Sequence, residues 1–303
     1  MPESRRGILY GIAAYTMWGL FPLYWPLLKP SGSVEILAHR MVWSLVAVAG
    51  ILAVRRHWSW FRTLTRRQLV LLTLAAVTVS LNWGVYIYAV NSGHVVEGAL
   101  GYFINPLVSV LFGVVVFRER LRPWQWAAVG LGTLAVVILT LDYGRLPWIA
   151  LVLAVSFGTY GLIKKMAQVG SAESLTVETL VLLVPALGYI VVIQANGTGT
   201  FGQHGLGHAA LLAASGLITA VPLLCFTASA LRVPLTVIGV LQYIAPTLQF
   251  LCGVLVVHET MPASRWAGFA VVWLALAVFT WDGLRAAHTA RRDDRAARAL
   301  ETV

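Results

Sequence analysis

Charged side chains inside otherwise apolar stretches are the residues of this sequence best suited to do chemistry. Glu35 and His39 lie four residues apart, so that on a helix they share one face, and Arg40 lies on the neighbouring face. A further carboxylate, Glu178, occupies nearly the equivalent place in a later apolar stretch. These side chains could bind an anionic group, carry a proton or form a gating pair. The alternative is that they extend to water from helix ends.

Composition indicates that hydrocarbon surrounds most of the chain. Of the 303 residues, 59% are hydrophobic and 11% are charged, whereas soluble domains carry about 25% charged residues. A bilayer core about 30 Å thick needs about 20 apolar residues per helix, and the apolar runs have that length. We predict an all-α integral membrane protein with ten transmembrane helices. The predicted spans are 8–28, 34–54, 68–90, 97–117, 123–141, 148–166, 174–194, 208–230, 235–257 and 266–282.

Positive charge is distributed unevenly over the connections between these spans. If the N-terminus lies in the cytoplasm, only three of the 22 Lys and Arg residues lie on the outer side of the membrane, namely Lys29, Arg145 and Arg265. Arg40 lies within a span. Because cytoplasmic loops are enriched in Lys and Arg, both termini are predicted to be cytoplasmic. The net charge of +10 therefore reflects membrane orientation, and we expect no nucleic-acid partner.

The sequence repeats itself at an offset of 140 residues. Identical residues recur in order along the chain, as in Pro106 with Pro246, Gly113 with Gly253, Glu119 with Glu259, Trp126 with Trp266, Thr140 with Thr280 and Asp142 with Asp282. Each copy holds five helices, an odd number, so equivalent helices run in opposite directions. We predict two inverted five-helix repeats, at 1–142 and 143–284, and a basic cytoplasmic tail at 285–303. This plan suits alternating access to a midplane site.

Aromatic and amide residues are dense near the middle of the predicted spans. They could line a cavity that binds an organic solute, or they could hold helices together by hydrogen bonds. With Arg40 as the anchor for an anionic group, the predicted solute-binding residues are Trp18, Asn82, Trp83, Tyr86, Tyr102, Asn105, Tyr160, Gln242 and Tyr243. The fifth and tenth spans are nearly devoid of polar residues, so they should face lipid or form a homodimer.

Titratable residues near span ends are the second group of candidates. The predicted ion-coupling or gating residues are Glu35, His39, Glu97, Glu178, Glu119 and Glu259. Glu178 or Glu35 is the favoured carboxylate for a coupling proton or other ion. For Glu119 and Glu259 the alternative is ordinary interfacial charge, and for Glu97 it is stabilisation of a helix N-terminus.

Sequence motifs for metal, nucleotide or acyl-transfer chemistry are missing. There is no His-Glu-x-x-His, no paired Cys-x-x-Cys, no glycine-rich phosphate loop and no Gly-x-Ser-x-Gly. We expect no cofactor, no metal and no enzymatic activity. A membrane receptor or regulatory protein that binds a small ligand without moving it is the alternative to a transporter.

Several ordered stretches resemble a known family. They are Trp18-Gly19, Glu35-Ile36-Leu37-Ala38-His39-Arg40, Asn82-Trp83, Gly101-Tyr102-Phe103-Ile104-Asn105-Pro106-Leu107, Glu178-Thr179 and Val221-Pro222-Leu223-Leu224-Cys225-Phe226. Over essentially its whole length the chain resembles the EamA branch of the drug/metabolite transporter superfamily. The resemblance implies the inverted five-plus-five fold, a cavity lined mainly by spans 1–4 and 6–9, and a place in the bacterial inner membrane. It implies no particular substrate, so we expect a secondary transporter (permease) of a small organic metabolite or drug-like solute in contact with membrane lipid.

Overall fold

Helices make up most of the chain. A computed structural model describes residues 3–55, 64–118 and 120–301, and no strand occurs within these ranges. In the same ranges nine helices are long and apolar enough to cross a membrane. A shorter helical segment, Glu3–Gly19, precedes them and continues as turns to Leu28. The predicted all-α membrane fold is confirmed, and with this first segment the helical count agrees with the predicted ten.

The first predicted span is divided into three pieces. α1 covers Glu3–Gly19, α2 covers Phe21–Tyr24, and a 3₁₀ turn covers Trp25–Leu28. Each of the two short pieces has a proline, Pro22 or Pro26, in its first turn. Proline has no N–H to donate to the preceding turn, so a continuous hydrogen-bond ladder cannot run through this segment.

The remaining helices follow the predicted spans to within a few residues at most ends. They are α3 Ser33–Arg55, α4 Arg66–Asn91, α5 Val95–Phe117, α6 Pro123–Tyr143, α7 Trp148–Ala167, α8 Ser171–Ala195, α9 Gly205–Ala230, α10 Leu235–Leu241, α11 Ile244–Leu251 and α12 Ala263–Glu301. A π turn, Cys252–Val256, continues α11. The last helix extends well beyond its predicted end and includes most of the predicted tail.

Helix packing has the symmetry expected of inverted repeats. In the repeat, α7 corresponds to α1, α9 to α4 and α11 to α5. Accordingly, α5 packs against α7 as α11 packs against α1, and α4 packs against α7 as α9 packs against α1. Likewise α3 contacts α9, while α8 contacts α4. α6 and α12 pack against each other, as do α3 and α8, and α5 and α11. The bounds of the repeats, 1–142 and 143–284, and a homodimer through the fifth and tenth spans stay predictions.

Close contact between α3 and α9 depends on a glycine. A Cβ atom on Gly216 would lie 2.2 Å from the backbone carbonyl carbon of Trp43, so only glycine allows this approach. Thr219, nearly one turn further along α9, therefore reaches the side of α3 that carries Arg40.

One end of the helix bundle is predicted to face the outside of the cell, and we call it the predicted outer side. It contains the helix ends at loops 29–32, 92–94, 144–147, 196–204 and 257–262.

Candidate functional site

Arg40 lies in a box of aromatic rings inside the helix bundle. Its guanidinium carbon is 3.8 Å from the ring centroid of Trp83, 5.2 Å from that of Trp25 and 5.6 Å from that of Phe21. Its Nε donates a hydrogen bond of 2.7 Å to Thr219 Oγ1. Only 2% of the residue is exposed, so Arg40 does not extend to water from its helix end.

The positive charge of Arg40 has no carboxylate partner in the described part of the chain. Ion pairs there join other residues, among them Lys164 with Glu178 and Arg145 with Glu97. A charge near the middle of a membrane costs about 2.5 to 3.5 kcal/mol on insertion scales, and cation–π contacts each return on the order of 0.5 to 2 kcal/mol. The box therefore accommodates the cation and leaves its charge free to bind an anionic group.

Tyrosine hydroxyls and an amide extend this interior site towards α5 and α7. Tyr102 donates to Asn82 Oδ1 at 2.9 Å, and Asn82 Nδ2 donates to the carbonyl of Leu153 and to Ser156 Oγ, both at 3.0 Å. Asn82 is fully buried, and its amide joins α4, α5 and α7. Its hydrogen-bonding groups are thus used within the protein.

Other buried polar atoms in the same region have no hydrogen-bond partner within the described residues. They include the hydroxyl of Tyr86, the indole nitrogen of Trp25, Ser44 Oγ and the side-chain oxygen of Asn105. Tyr86 also packs edge-on against Tyr102, with 5.5 Å between centroids. Since buried polar groups are normally paired, these donors and acceptors are suited to a polar ligand.

A line of aromatic rings leads from this region to Glu178. Tyr102 packs on Phe157 with 5.8 Å between centroids, and Phe157 lies 6.1 Å from Tyr160. The hydroxyl of Tyr160 donates to Glu178 at 3.1 Å. This line connects the region around the buried cation of Arg40 with the buried carboxylate of Glu178.

Glu178 is itself closely surrounded by donors. Lys164 Nζ lies 3.0 Å from its carboxylate, and Ser174 Oγ donates to it at 2.6 Å. The carboxylate is 2% exposed, whereas the lysine side chain is 23% exposed. Glu178 is therefore a buried member of an ion pair whose other member reaches the protein surface.

The loop before α9 covers the Arg40 site on the predicted outer side. Glu35 accepts hydrogen bonds from the backbone N–H of Thr200 at 2.7 Å and from its hydroxyl at 3.0 Å. The ring of Phe201 stacks on His39 with 4.7 Å between centroids and an angle of 21°. Glu35 and His39, predicted to act with an ion, thus hold this loop over the neighbouring residue Arg40.

Two acidic residues meet the first turn of a helix on the predicted outer side. Glu97 forms an ion pair of 2.7 Å with Arg145, which raises the pKa of that guanidinium, and accepts from the N–H of Ile149 at 3.1 Å. Glu259 accepts from the N–H groups of Val95 and Val96. Burial raises the pKa of Glu259 to about 7, although these two hydrogen bonds act in the opposite direction.

The other predicted residues lie at the edge of the aromatic box or beyond it, and Trp18 packs against the cluster that contains Phe21 and Trp25. Trp18 packs against Phe226 with 5.8 Å between centroids. Gln242 and Tyr243 lie at the break between α10 and α11, where Tyr243 lines a groove of about 440 Å³ with Phe103 and Trp273. Glu119 falls outside the described residues. The predicted residues therefore belong to several places, of which the Arg40 site is one.

Sequence reasoning missed several residues of these sites. Phe21 and Trp25 complete the aromatic box, and their spacing of four residues was the available signal. Lys164 lies near the predicted cytoplasmic end of its span, and the sequence does not indicate its ion pair with Glu178. Thr200 and Phe201 belong to a loop whose contacts depend on the tertiary fold, and no local pattern indicates them.

Helical spans around a buried, polar interior define a multi-pass membrane protein, and comparisons with known proteins show that its class is that of a transporter. Residues 5–141 match the EamA-like transporter family. The chain is 60% identical to a protein named RarD of Streptomyces exfoliatus over 95% of this chain and 92% of that one. It is 40% identical to a protein named RarD of Escherichia coli over 97% and 99% of the two chains, and 43% identical to an uncharacterized transporter of Pseudomonas aeruginosa over 93% and 95%. This chain belongs to the RarD group of the EamA-like transporter family.

A solved structure supports the fold alone. A protein crystal structure superimposes with a TM-score of 0.60 over 90% of this chain and 96% of that chain, at 18% sequence identity. The relatives establish a membrane transporter of the drug/metabolite type in a bacterial membrane, with a small solute as its substrate class.

Proposed function

We propose that this protein is a secondary transporter that moves a small organic solute with an anionic group across the bacterial inner membrane by alternating access. The observation that carries the proposal is the buried guanidinium of Arg40, which lies among Trp83, Trp25 and Phe21 and pairs with no carboxylate of the described residues. A bound carboxylate, sulfonate or phosphate would accept from its terminal N–H groups, which suit such anions geometrically.

The route through the membrane follows the aromatic line described above. Apolar or aromatic parts of a solute can slide along the rings of Tyr102, Phe157 and Tyr160, which join the Arg40 site to Glu178. The polar ends of the solute would meet a cation near one end of the route and a carboxylate–lysine pair near the other. Glu178 and Glu35 are the carboxylates that we propose for coupling to a proton or another ion.

Binding can be tested before the natural solute is known. Purified protein is heated with a panel of small organic monoanions, each paired with its neutral amide or ester, and the shift in unfolding temperature is recorded. We expect anions, and not their neutral analogues, to stabilise the native protein. Arg40→Ala should lose this stabilisation, whereas Arg6→Ala, on an exposed arginine, should keep it. An anion that stabilises Arg40→Ala as well as the native chain would reject the assigned site.

Flux separates transport from binding alone. A stabilising anion is radiolabelled and its uptake into sealed proteoliposomes is followed with and without an imposed proton gradient. Arg40→Ala should abolish uptake while the protein still inserts into the vesicles. Binding without uptake in the native protein would instead support a ligand-binding receptor.

A further inference from the structure

The loop before α9 places one phenylalanine ring inside the helix bundle. Phe201 stacks on His39 with 4.7 Å between ring centroids, and its centroid is 6.3 Å from that of Trp43. His39 and Trp43 are four residues apart in α3, so they lie on one face of that helix. We call these two residues the ring shelf, and the ring of Phe201 covers it.

The ring shelf adjoins the aromatic box around Arg40. Phe201 packs against the buried cluster that contains Phe21 and Trp25, and both of these residues also contact the guanidinium of Arg40. Arg40 itself directly follows His39 in α3. Phe201 thus contacts both the shelf and the cluster that walls the anion site, so the place that its ring occupies lies next to that site.

The nitrogen atoms of the shelf are not matched by the ring that covers them. Nε2 of His39 and Nε1 of Trp43 are buried and have no hydrogen-bond partner within the described residues. His39 is 4% exposed, so its ring is almost completely enclosed. Buried polar groups are normally paired, and a phenyl ring carries no donor or acceptor for either nitrogen. The shelf therefore suits a ring with a hydrogen-bond acceptor, which Phe201 lacks.

Hydrogen bonds near the tip of the loop hold Phe201 in this place. Thr200 donates to Glu35 from its backbone N–H at 2.7 Å and from its hydroxyl at 3.0 Å, and its hydroxyl oxygen is 2.6 Å from that of Ser31. Gln194, at the end of α8, donates to the carbonyl of Phe201 at 2.9 Å. All of these partners lie on the predicted outer side, where water can supply replacement hydrogen bonds when the loop moves.

Glycines flank the part of the loop that carries this ring. Gly197 and Gly205 have φ of 69° and 83°, which are left-handed conformations that glycine adopts at little cost. A Cβ atom on either glycine would meet nothing within 4 Å, so neither position is packed against another part of the protein. Hinges are a few loop positions that absorb changes in φ and ψ, and these two positions allow residues 198–204 to move together.

We propose that the ring shelf is a second subsite of the Arg40 site, which binds a planar ring of the solute that carries a hydrogen-bond acceptor. Phe201 fills this subsite while the loop is closed, and the ring of the solute takes its place when the loop opens to the predicted outer side. The inference rests on the proposed function, because it describes the part of the anionic solute that does not contact Arg40.

Two neutral probes test the subsite without any anion. Pyridine and benzene have nearly the same size, and only pyridine carries an acceptor. Phe201→Ala removes the ring above the shelf, whereas the control Phe250→Ala leaves a comparable space among the rings of Phe269 and Trp273. The dissociation constant of each probe is obtained from the concentration dependence of the unfolding temperature, at a pH at which pyridine is neutral. Comparison between the variants cancels the partition of the probes into detergent.

The two variants should prefer different probes. Phe201→Ala should bind pyridine about fivefold more tightly than benzene, the factor that one hydrogen bond typically contributes, because the pyridine nitrogen can accept from Nε1 of Trp43. Phe250→Ala should prefer benzene, since an apolar cavity binds apolar ligands. Adding His39→Phe and Trp43→Phe to Phe201→Ala keeps the rings of the shelf and removes their nitrogens, so the preference for pyridine should be lost.

A disulfide tests whether the loop has to open. The hydroxyl oxygens of Ser31 and Thr200 are 2.6 Å apart, so cysteines at both positions are within reach of a disulfide. In a chain that carries Cys225→Ser and Cys252→Ala, Ser31→Cys with Thr200→Cys should bind pyridine when reduced and lose it when oxidised. Binding to the reduced chain should be weaker than to Phe201→Ala, because Phe201 competes for the shelf. Ser31→Cys alone is the control for the oxidant.

Other outcomes overturn the ring subsite. It is rejected if Phe201→Ala prefers benzene or binds both probes equally, or if the oxidised double-cysteine chain binds pyridine as well as the reduced one. Phe201→Val gives the same comparison of probes in the case that the alanine variant does not fold. Neither probe carries a charge, so a failure of the anion tests on Arg40 is distinguishable from a failure of the subsite.

Discussion

Arg40 and Trp83 form a cation–π pair in which 3.8 Å separates the guanidinium carbon from the centroid of the indole ring. The two residues come from neighbouring helices, α3 and α4, and the arginine is almost completely buried. Stacking occupies one face of the guanidinium and leaves its edge N–H groups for other partners. One edge position, Nε, is used by Thr219, and the remaining N–H groups are those that we assign to an anionic solute.

Replacing the indole ring should weaken the anion site. Trp83→Leu removes the contact with Arg40, and a desolvated cation–π contact contributes on the order of 1 to 2 kcal/mol, so the affinity for a stabilising anion should change about 5- to 30-fold. Trp83→Phe should change it less, because the smaller ring keeps part of the attraction. Trp126→Leu, at an exposed position on α6, is the control. Equal affinity of Trp83→Leu and the native protein, measured by titration calorimetry, would contradict the role of the ring.

The hydrogen bond between Arg40 and Thr219 should contribute to stability. Thr219→Val leaves the Nε–H of a buried guanidinium without an acceptor, which typically costs about 1 to 3 kcal/mol. Thr219→Ser keeps the hydroxyl, which also donates to the carbonyl of Ser215, and should be close to native. Thermal unfolding in detergent measures both variants. A serine variant as unstable as the valine variant would show that the methyl group, and not the hydroxyl, matters.

Hydropathy and charge predicted the helices, and the position of Arg40 within an apolar run predicted a buried cation. These features are local, because hydrocarbon forces each spanning segment to satisfy its own backbone hydrogen bonds. The partners of Arg40 were less accessible to prediction. Thr219 lies 179 residues away, and it reaches Arg40 only because Gly216 lets α9 touch α3. The contact of Thr200 with Glu35 joins a loop to a helix in the same way.

Gly216 gives a direct test of this close approach. Gly216→Ala places a methyl group 2.2 Å from the backbone of Trp43, and because backbone atoms cannot move aside, α3 and α9 must separate. We expect a destabilisation of about 2 kcal/mol or more from such overpacking, together with loss of anion binding. Gly188→Ala in α8, where a Cβ meets nothing within 4 Å, should be neutral or stabilising by up to about 1 kcal/mol. Similar unfolding temperatures for the two variants would contradict the packing argument.

The pair of Lys164 and Glu178 should behave as a coupled unit. Glu178→Gln leaves Lys164 without its carboxylate, and Lys164→Gln leaves a buried carboxylate without its cation, so each single variant should be destabilised. The double variant should recover part of the loss, because neither charge is then left alone. Additive effects in thermal unfolding would show that the two groups act independently. If Glu178 also carries the coupling proton, uptake by Glu178→Gln should no longer respond to an imposed proton gradient.

The contact between Glu259 and the N–H groups of Val95 and Val96 should make stability depend on pH. The pKa of Glu259 is about 7 in this contact, against an ordinary value of 4.5 once the carboxylate is released into water. The folded protein therefore binds a proton more tightly at this site, and acidification from about pH 7 towards 4.5 should stabilise it. Raising the pH through 7 removes this stabilisation. The unfolding temperature of the native protein in detergent should accordingly fall between about pH 5 and pH 8.

The groups around the carboxylate define the control for this pH dependence. Arg265 from α12 lowers the pKa of Glu259 and Glu97 from α5 raises it, while Tyr143 and Asp142 face the same region from α6, and Arg145 pairs with Glu97. Two histidines are also close, because His258 directly precedes Glu259 and His94 directly precedes Val95. Glu259→Gln removes the carboxylate and leaves both histidines in place. A flat profile of unfolding temperature against pH in Glu259→Gln would assign the response to this carboxylate, whereas a profile that keeps its slope would contradict that assignment.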